Sequence, residues 1–250
     1  MKKAWVVKFG GSLLSDDGAR RGFLKDAAAL AKKRALVLVH GGGPEINAAL
    51  DRMGVKSMWV NGRRVTDEEA MGVVEMVLSG QVNKRLVGEL SRLGVKAVGL
   101  SGRDGGLMTA KPVPDLGRVG TPSKVDPSVL KTLLADGFLP VVSSVASGPG
   151  GEALNVNADE AAAALAAALK AERLIYLTDV PGVLDAAKNT IPVVKTRKDL
   201  EGLIASGVIT GGMIPKTRSC REAIKKGVGE VDIVDGRAGL LEMKGTRLLP

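Results

Sequence analysis

The chain has 250 residues, 45% of them apolar and 25% charged, enough to bury a substantial core and unlike collagen, low-complexity or disordered sequence. Its formal charge of +9 bears on attraction of anions rather than on fold, and three Phe, two Trp and one Tyr are too few to stack bases, so no nucleic-acid partner is expected. Cys220, the sole cysteine, excludes an internal disulfide. His40, the sole histidine, leaves too few soft ligands for a zinc site, and no protein metal site is expected. The longest apolar run, Ala161 to Leu169, has nine residues, short of a secretory or spanning segment, so the chain reads as soluble and cytoplasmic with no membrane partner.

Short Val-, Leu- and Ile-rich runs, each followed by a glycine turn and a segment of helical period, predict a doubly wound α/β fold. The architecture is a three-layer αβα sandwich around a mainly parallel open sheet. Strands are expected at Ala4–Phe9, Ala35–His40, Lys96–Leu100, Leu139–Val145, Arg173–Thr178 and Val231–Val234. Helices are expected at Arg20–Lys32, Pro44–Met53, Asp67–Leu78, Asn83–Leu93, Pro127–Ala135, Asp159–Ala168, Lys198–Ala205 and Met213–Lys225. The proline- and glycine-rich stretch 107–123 predicts a hairpin or flap over a ligand. A second strand–helix set begins after Ala171, which predicts two lobes on one sheet, 1–171 and 172–250.

The chemistry sits where strands end and helices begin, the ligand edge of an open α/β sheet. The first strand ends with Lys8 ahead of Gly10 and Gly11, a point charge beside glycines whose N–H groups can turn toward a phosphate; a surface lysine at a turn is the competing reading. After the second strand, Gly41, Gly42 and Gly43 hand over to a helix in which Pro44 fits the first position, an anion or oxyanion site in waiting. Ile46 breaks the dinucleotide fingerprint, and GxxxxGK[ST] does not occur, so Rossmann and Walker A readings fail. His40 fits a structural hydrogen-bonding role better than a general base.

Arg63 and Arg64 precede an N-cap at Thr66 or Asp67, and either could clamp a carboxylate bidentately. Asn155, Asn157 and Asp159 alternate before the Ala-rich helix, so they can converge on one ligand, although a capping cluster would use the same residues. Thr178, Asp179, Gly182 and Val183 follow a strand, and Gly211, Met213 and Lys216 open a helix. Lysines, glycine amides, an Asp and Asn side chains without a metal cluster suit phosphoryl transfer, in which the protein positions reactants and neutralises charge. A carboxylate acceptor, already ionised at pH 7, needs no general base.

These segments occur in one order along nearly the whole chain: VVKFGGS at 6–12, VHGGGPEIN at 39–47, NGRRVTD at 61–67, GQVNKRL at 80–86 and VGLSGRDG at 98–105, then LNVNADEAA at 154–162, LTDVPGVLD at 177–185, GGMIPK at 211–216 and VDIVDGR at 231–237. By them the sequence resembles the amino acid kinase family. Within it, HGGGPEIN, RVTD, NVNAD and GGMIPK point to the branch whose acceptor is the side-chain carboxylate of N-acetyl-L-glutamate, in arginine biosynthesis. The resemblance implies that Lys8 and Lys216 stabilise the moving phosphoryl group, Asp159 holds the two lysines, and Gly11 and Gly42 donate N–H bonds. It implies acceptor contacts from Gly42, Gly43, Arg64 and Asn155, with Asn157 beside them. ATP would lie against Thr178, Asp179, Gly182, Val183, Gly211, Met213 and Lys216, its Mg²⁺ held mainly by the phosphates.

Arg63 stands where the family usually has an apolar residue, and the tail after Arg237 is short. The first strand opens within four residues of Met1, leaving no room for the extra N-terminal helix of arginine-regulated hexamers. A homodimer without that feedback is therefore expected. The rival readings are a kinase of carrier-linked aminoadipate in lysine biosynthesis and a non-catalytic sensor on the same fold.

Overall fold

The computed structural model describes residues 3–60, 63–185, 187–210 and 213–250. The chain opens with β1 (Trp5–Phe9), the short α1 (Ser12–Ser15), α2 (Asp17–Ala31), β2 (Leu36–His40) and α3 (Gly43–Met53). An antiparallel pair, β3 (Met58–Val60) and β4 (Arg63–Val65), leads into one long helical run: α4 (Glu68–Glu75), a π-helical segment at Met76–Val82 and α5 (Asn83–Arg92). Next come β5 (Ala97–Ser101), β6 (Met108–Pro112), β7 (Val119–Val125), α6 (Ser128–Ala135), β8 (Leu139–Ser143), β9 (Val145–Ser147), β10 (Ala153–Val156) and α7 (Ala158–Ala168). The rest comprises β11 (Arg173–Thr178), β12 (Val193–Val194), α8 (Arg197–Ala205), α9 (Met213–Lys225), β13 (Glu230–Asp235) and β14 (Gly245–Leu248).

Among the described residues, the main sheet runs β12-β14-β13-β11-β1-β2-β8-β5. From β13 to β5 every neighbouring pair is parallel, and only β14 turns antiparallel, against β13. The pleat sends alternate residues to opposite faces, which explains two cores. Val7, Phe9, Leu36, Leu38, Ile175 and Leu177 pack with α2 to α5 on one side. Val6, Val37, Val39, Leu174 and Tyr176 pack with α6 to α9 on the other. The expected sandwich around a mainly parallel sheet is therefore present, and the sheet continues unbroken across residue 171.

The chain leaves β1 toward β2 and later returns on its other side as β11, so β1 lies at the topological switch point, where open α/β sheets bind ligands. Lys8, one residue from the C-terminal end of β1, pairs in register with Val39 and Tyr176.

Two expectations need correction. Residues 68–92 are one helical run rather than two helices parted over 79–82. Val74, Leu78, Val82, Leu86 and Leu90 recur every four residues and are all buried. That spacing drifts around a regular α-helix, and the wider π turn brings it back to the core. Pro44 takes the second helical position, because α3 starts at Gly43. The stretch 107–123 does form a hairpin, but β6 and β7 are built into a small closed barrel with β9 and β10 instead of hanging free. The hairpin's turn is also sutured to the end of β4: Thr66 N–H donates to Leu116 O at 3.0 Å and Arg118 N–H to Thr66 O at 2.6 Å. Gly117 between them has φ +69°, and a Cβ there would lie 2.4 Å from Thr66 O, so the suture requires glycine.

Candidate active site

Lys8 and Lys216 reach Asp159 from opposite sides. Lys8 Nζ lies 2.8 Å from Oδ1 and Lys216 Nζ donates to Oδ2 at 2.7 Å. Lys8 comes from the end of β1 and Lys216 from the first turn of α9, while Asp159 sits in the first turn of α7. Burial alone would raise the Asp159 pKa, but the two ammonium groups overcome it and hold the carboxyl at about 2, so it is ionised throughout the physiological range. Tyr176, the neighbour of Lys8 in the sheet, donates its hydroxyl to Asp159 O at 3.2 Å, and Lys216 Nζ stands 5.3 Å from its ring centre. Tyr176 went unassigned in the sequence. It carries no local signal, because only the parallel register of β11 with β1 places it beside Lys8.

Beside this triad opens a cavity of 230 Å³. Lys8, Asp159, Gly11, Gly42, Gly43, Arg64, Asn155 and Asn157 all line it, so residues from four separate segments converge as the sequence suggested. Gly42 is the N-cap of α3 and supplies no side-chain cap, which leaves the first N–H groups of the helix turned toward the cavity without an intrahelical acceptor. Leu78, delivered by the π segment, closes over this turn: a Cβ on Gly42 would lie 2.9 Å from Leu78 Cδ2 and 3.4 Å from Val82 Cγ2. Gly42→Ala is accordingly expected to cost about 1–3 kcal/mol through overpacking, readable as a lowered urea midpoint at unchanged m-value.

His40 is buried, and desolvation pulls its pKa down to about 4 against the opposing Gly41 carbonyl, so the ring is neutral near pH 7. Asn83 Nδ2 lies 3.0 Å from Nε2 and also donates to Val141 O at 2.9 Å. The tautomer that accepts from Asn83 donates through Nδ1 to Gly41 O, 2.8 Å away. His40 thus fixes the glycine turn, and both ring nitrogens are engaged, as the structural reading anticipated.

Arg64 projects from β4 and is buried to 5% exposure. It donates to Ser57 Oγ and to Asn47 Oδ1, and its guanidinium stacks 4.5 Å from the ring centre of Trp59. A planar cation held on one face by an aromatic ring and at its edges by side-chain acceptors is oriented to grip a carboxylate. Asn47, Ser57 and Trp59 carried no sequence assignment, although Asn47 belongs to the HGGGPEIN segment. Asn155 donates to Thr66 Oγ1 at 3.2 Å. Asn157, not Asp159, caps α7, accepting from the N–H groups of Asp159 and Glu160 at 2.9 and 3.3 Å. That leaves the Asp159 carboxylate for the lysines.

The remaining candidates lie apart from the cavity lining. Thr178 ends β11 and Asp179 follows it, and Gly182 reaches β14, with φ +118° and a would-be Cβ 2.7 Å from Thr246 Oγ1. Val183 is buried, its N–H bonded to Thr246 Oγ1 at 2.8 Å and its carbonyl to Ile191 N–H, so it supports this loop from beneath. Met213 opens α9, one turn before Lys216. Gly211 lies outside the described residues. Among those described, no cluster of three or more His, Cys, Asp or Glu could hold a metal ion, and no helix is long and apolar enough to cross a membrane.

Comparison with known proteins places the chain in a family. Residues 3–235 match the amino acid kinase family. The acetylglutamate kinase of Endomicrobium trichonymphae is 46% identical over 98% of this chain and 98% of its own. The crystal structure of a Streptococcus mutans protein superposes with a TM-score of 0.86 at 32% identity, covering 100% of this chain and 99% of that one. The N-acetylglutamate synthase of Neisseria gonorrhoeae, crystallised with coenzyme A and N-acetyl-glutamate, gives 0.85 at 25% identity, covering 99% of this chain and 59% of that one.

Proposed function

The chain belongs to the amino acid kinase family, and from that membership we propose that it transfers the γ-phosphoryl group of ATP to the side-chain carboxylate of N-acetyl-L-glutamate. The product is N-acetyl-L-glutamyl 5-phosphate, an intermediate of arginine biosynthesis, made in the cytoplasm. The observation that carries the reading is the convergence on one cavity of Lys8, Asp159, the Gly42–Gly43 helix start and Arg64, with Lys216 paired to Asp159 at its edge.

In this reaction a carboxylate oxygen of the acceptor attacks the γ-phosphorus as the bond to the ADP oxygen breaks. The acceptor is ionised at neutral pH, so no residue has to remove a proton, in keeping with a neutral His40 occupied at both nitrogens. Lys8 and Lys216 neutralise charge on the transferring group, and the amides of Gly11 and Gly42 hold its oxygens. Arg64 takes the α-carboxylate of acetylglutamate, while Asn155 and Asn157 border the acceptor. Residues 1–171 form the acceptor lobe and 172–250 the nucleotide lobe, with Thr178, Asp179, Gly182 and Met213 around ATP. The described residues offer no carboxylate cluster for Mg²⁺, which would arrive on the ATP phosphates and screen their charge. A homodimer belongs to the same proposal: β5 ends the sheet, and an edge ladder can accept a second copy. Gel filtration with light scattering should give twice the chain mass; a hexamer would refute this part.

The decisive assay is ATP turnover with N-acetyl-L-glutamate, glutamate, aminoadipate or no acceptor, trapping acyl phosphate with hydroxylamine. Hydroxamate from acetylglutamate alone is expected; none with any free acceptor would return weight to a carrier-linked substrate. In the same assay Arg64→Ala should raise KM for acetylglutamate about 10- to 100-fold, the worth of a charge-assisted bidentate contact, with kcat changed far less.

A further inference from the structure

Arg63 neighbours Arg64 on β4 yet engages different parts of the molecule. Its guanidinium donates to Glu160 Oε1 in the first turn of α7 and, at 3.4 Å, to Thr121 Oγ1 on β7. One side chain therefore ties the β3–β4 pair to the barrel and to the helix that carries Asp159. The β3 strand of this pair is sparsely covered: Met58, Trp59 and Val60 are 65%, 54% and 46% exposed. A segment with so little buried surface takes its position from a few specific contacts. The same pair carries both the acceptor-facing guanidinium of Arg64 and the indole stacked on it, and all three side chains border the cavity.

We propose that the Arg63–Glu160 ion pair is a clasp that holds the β3–β4 pair over the acceptor cavity, making Arg63 a positioning residue for acetylglutamate that acts through Arg64 and Trp59. The proposal rests on Arg64 as an acceptor contact. The charges make a matched set: Glu160 adjoins Asp159 in sequence, and without Arg63 its carboxylate would add uncompensated negative charge beside the phosphoryl site. Burial, reinforced by Asp159, raises the Glu160 pKa, and Arg63 opposes both. Because the pair is partly exposed, its loss should loosen the segment without unfolding the protein.

The test compares Arg63→Leu, Glu160→Gln and the double variant by steady-state kinetics and by acrylamide quenching of tryptophan fluorescence without substrate. Trp59 reports on the clasp, because the other tryptophan, Trp5, is buried and sandwiched between Arg34 and Arg173 at the far end of β1. Each single variant should raise KM for acetylglutamate about two- to fivefold with kcat held within about twofold, and both should increase quenching. The double variant should be no worse than either single one. If Glu160→Gln leaves KM and quenching at wild-type values while Arg63→Leu raises KM, Arg63 touches the substrate directly and the clasp is wrong; unchanged behaviour in both variants also overturns it. Arg64→Ala separates the two levels: a normal KM there would remove Arg64 from the acceptor site, whereas quenching would still report whether the clasp exists.

Discussion

Replacing Lys8 or Lys216 with alanine is expected to lower kcat by about 10²- to 10³-fold, while KM for acetylglutamate moves by only a few-fold. Both ammonium groups sit within 2.8 Å of Asp159, so both occupy fixed positions at the edge of the cavity before substrate arrives. Preorganised charge of this kind acts on the negative charge that shifts over the oxygens of a transferring phosphoryl group. In the proposed mechanism the acceptor itself is gripped elsewhere, by Arg64. Arginine should not substitute, since its planar fork spreads the charge that an ammonium concentrates. Hydroxamate formation at saturating ATP and acetylglutamate reads kcat directly, and a defect confined to KM would show that the lysines bind acceptor rather than stabilise transfer.

Much of this site is legible in the sequence because each piece is anchored to a local signal. Lys8 follows an apolar run and precedes two glycines; Gly42 and Gly43 precede a helix start; Asn155, Asn157 and Asp159 alternate before an Ala-rich helix. Such signals fix which sheet edge a residue occupies, and an open parallel sheet then gathers those edges at one place. Contacts between segments far apart in the chain lack any local signal. Nothing near Arg64 announces that Asn47 and Ser57 accept from it or that Trp59 stacks on it, because the β3–β4 pairing that brings Trp59 opposite Arg64 is a register, not a composition. The cap on α7 stayed open for a related reason: Asn157 and Asp159 are both good caps, and the fold shows that Asn157 caps the helix while two lysines claim the aspartate.

The long helical run and the barrel were hidden by the rules that served elsewhere. Residues 79–82 read as a break between two helices, yet a buried stripe at four-residue spacing runs across them and the backbone widens into a π turn to keep that stripe inside. The prolines and glycines of 107–123 read as loop chemistry, yet β6 and β7 tolerate them in a barrel whose strands are short and irregularly paired, with a register shift between Thr109 and Ala110. Both features serve the site: one seats Leu78 against Gly42, the other secures Thr66, which in turn accepts from Asn155.

Asp159→Asn should damage the enzyme twice over, and the two effects can be measured apart. In the folded protein the carboxyl titrates at about 2 instead of its ordinary 3.8, so the folded state favours the ionised form. A group depressed in this way contributes stability above its unfolded pKa and loses it as pH falls through the folded value. The contribution is about 2 kcal/mol near neutrality, fading between about pH 4 and pH 2. Urea midpoints of wild type and variant should therefore differ clearly at about pH 7 and draw together as pH approaches about 2.5. At neutral pH the amide also leaves Lys8 and Lys216 facing each other without the charge between them, so the ammonium groups move apart and kcat should fall about 100-fold or more. A variant that lost stability with this pH profile but kept its kcat would make Asp159 a structural counterion only, and would leave the lysines to find their own positions on the phosphates of ATP.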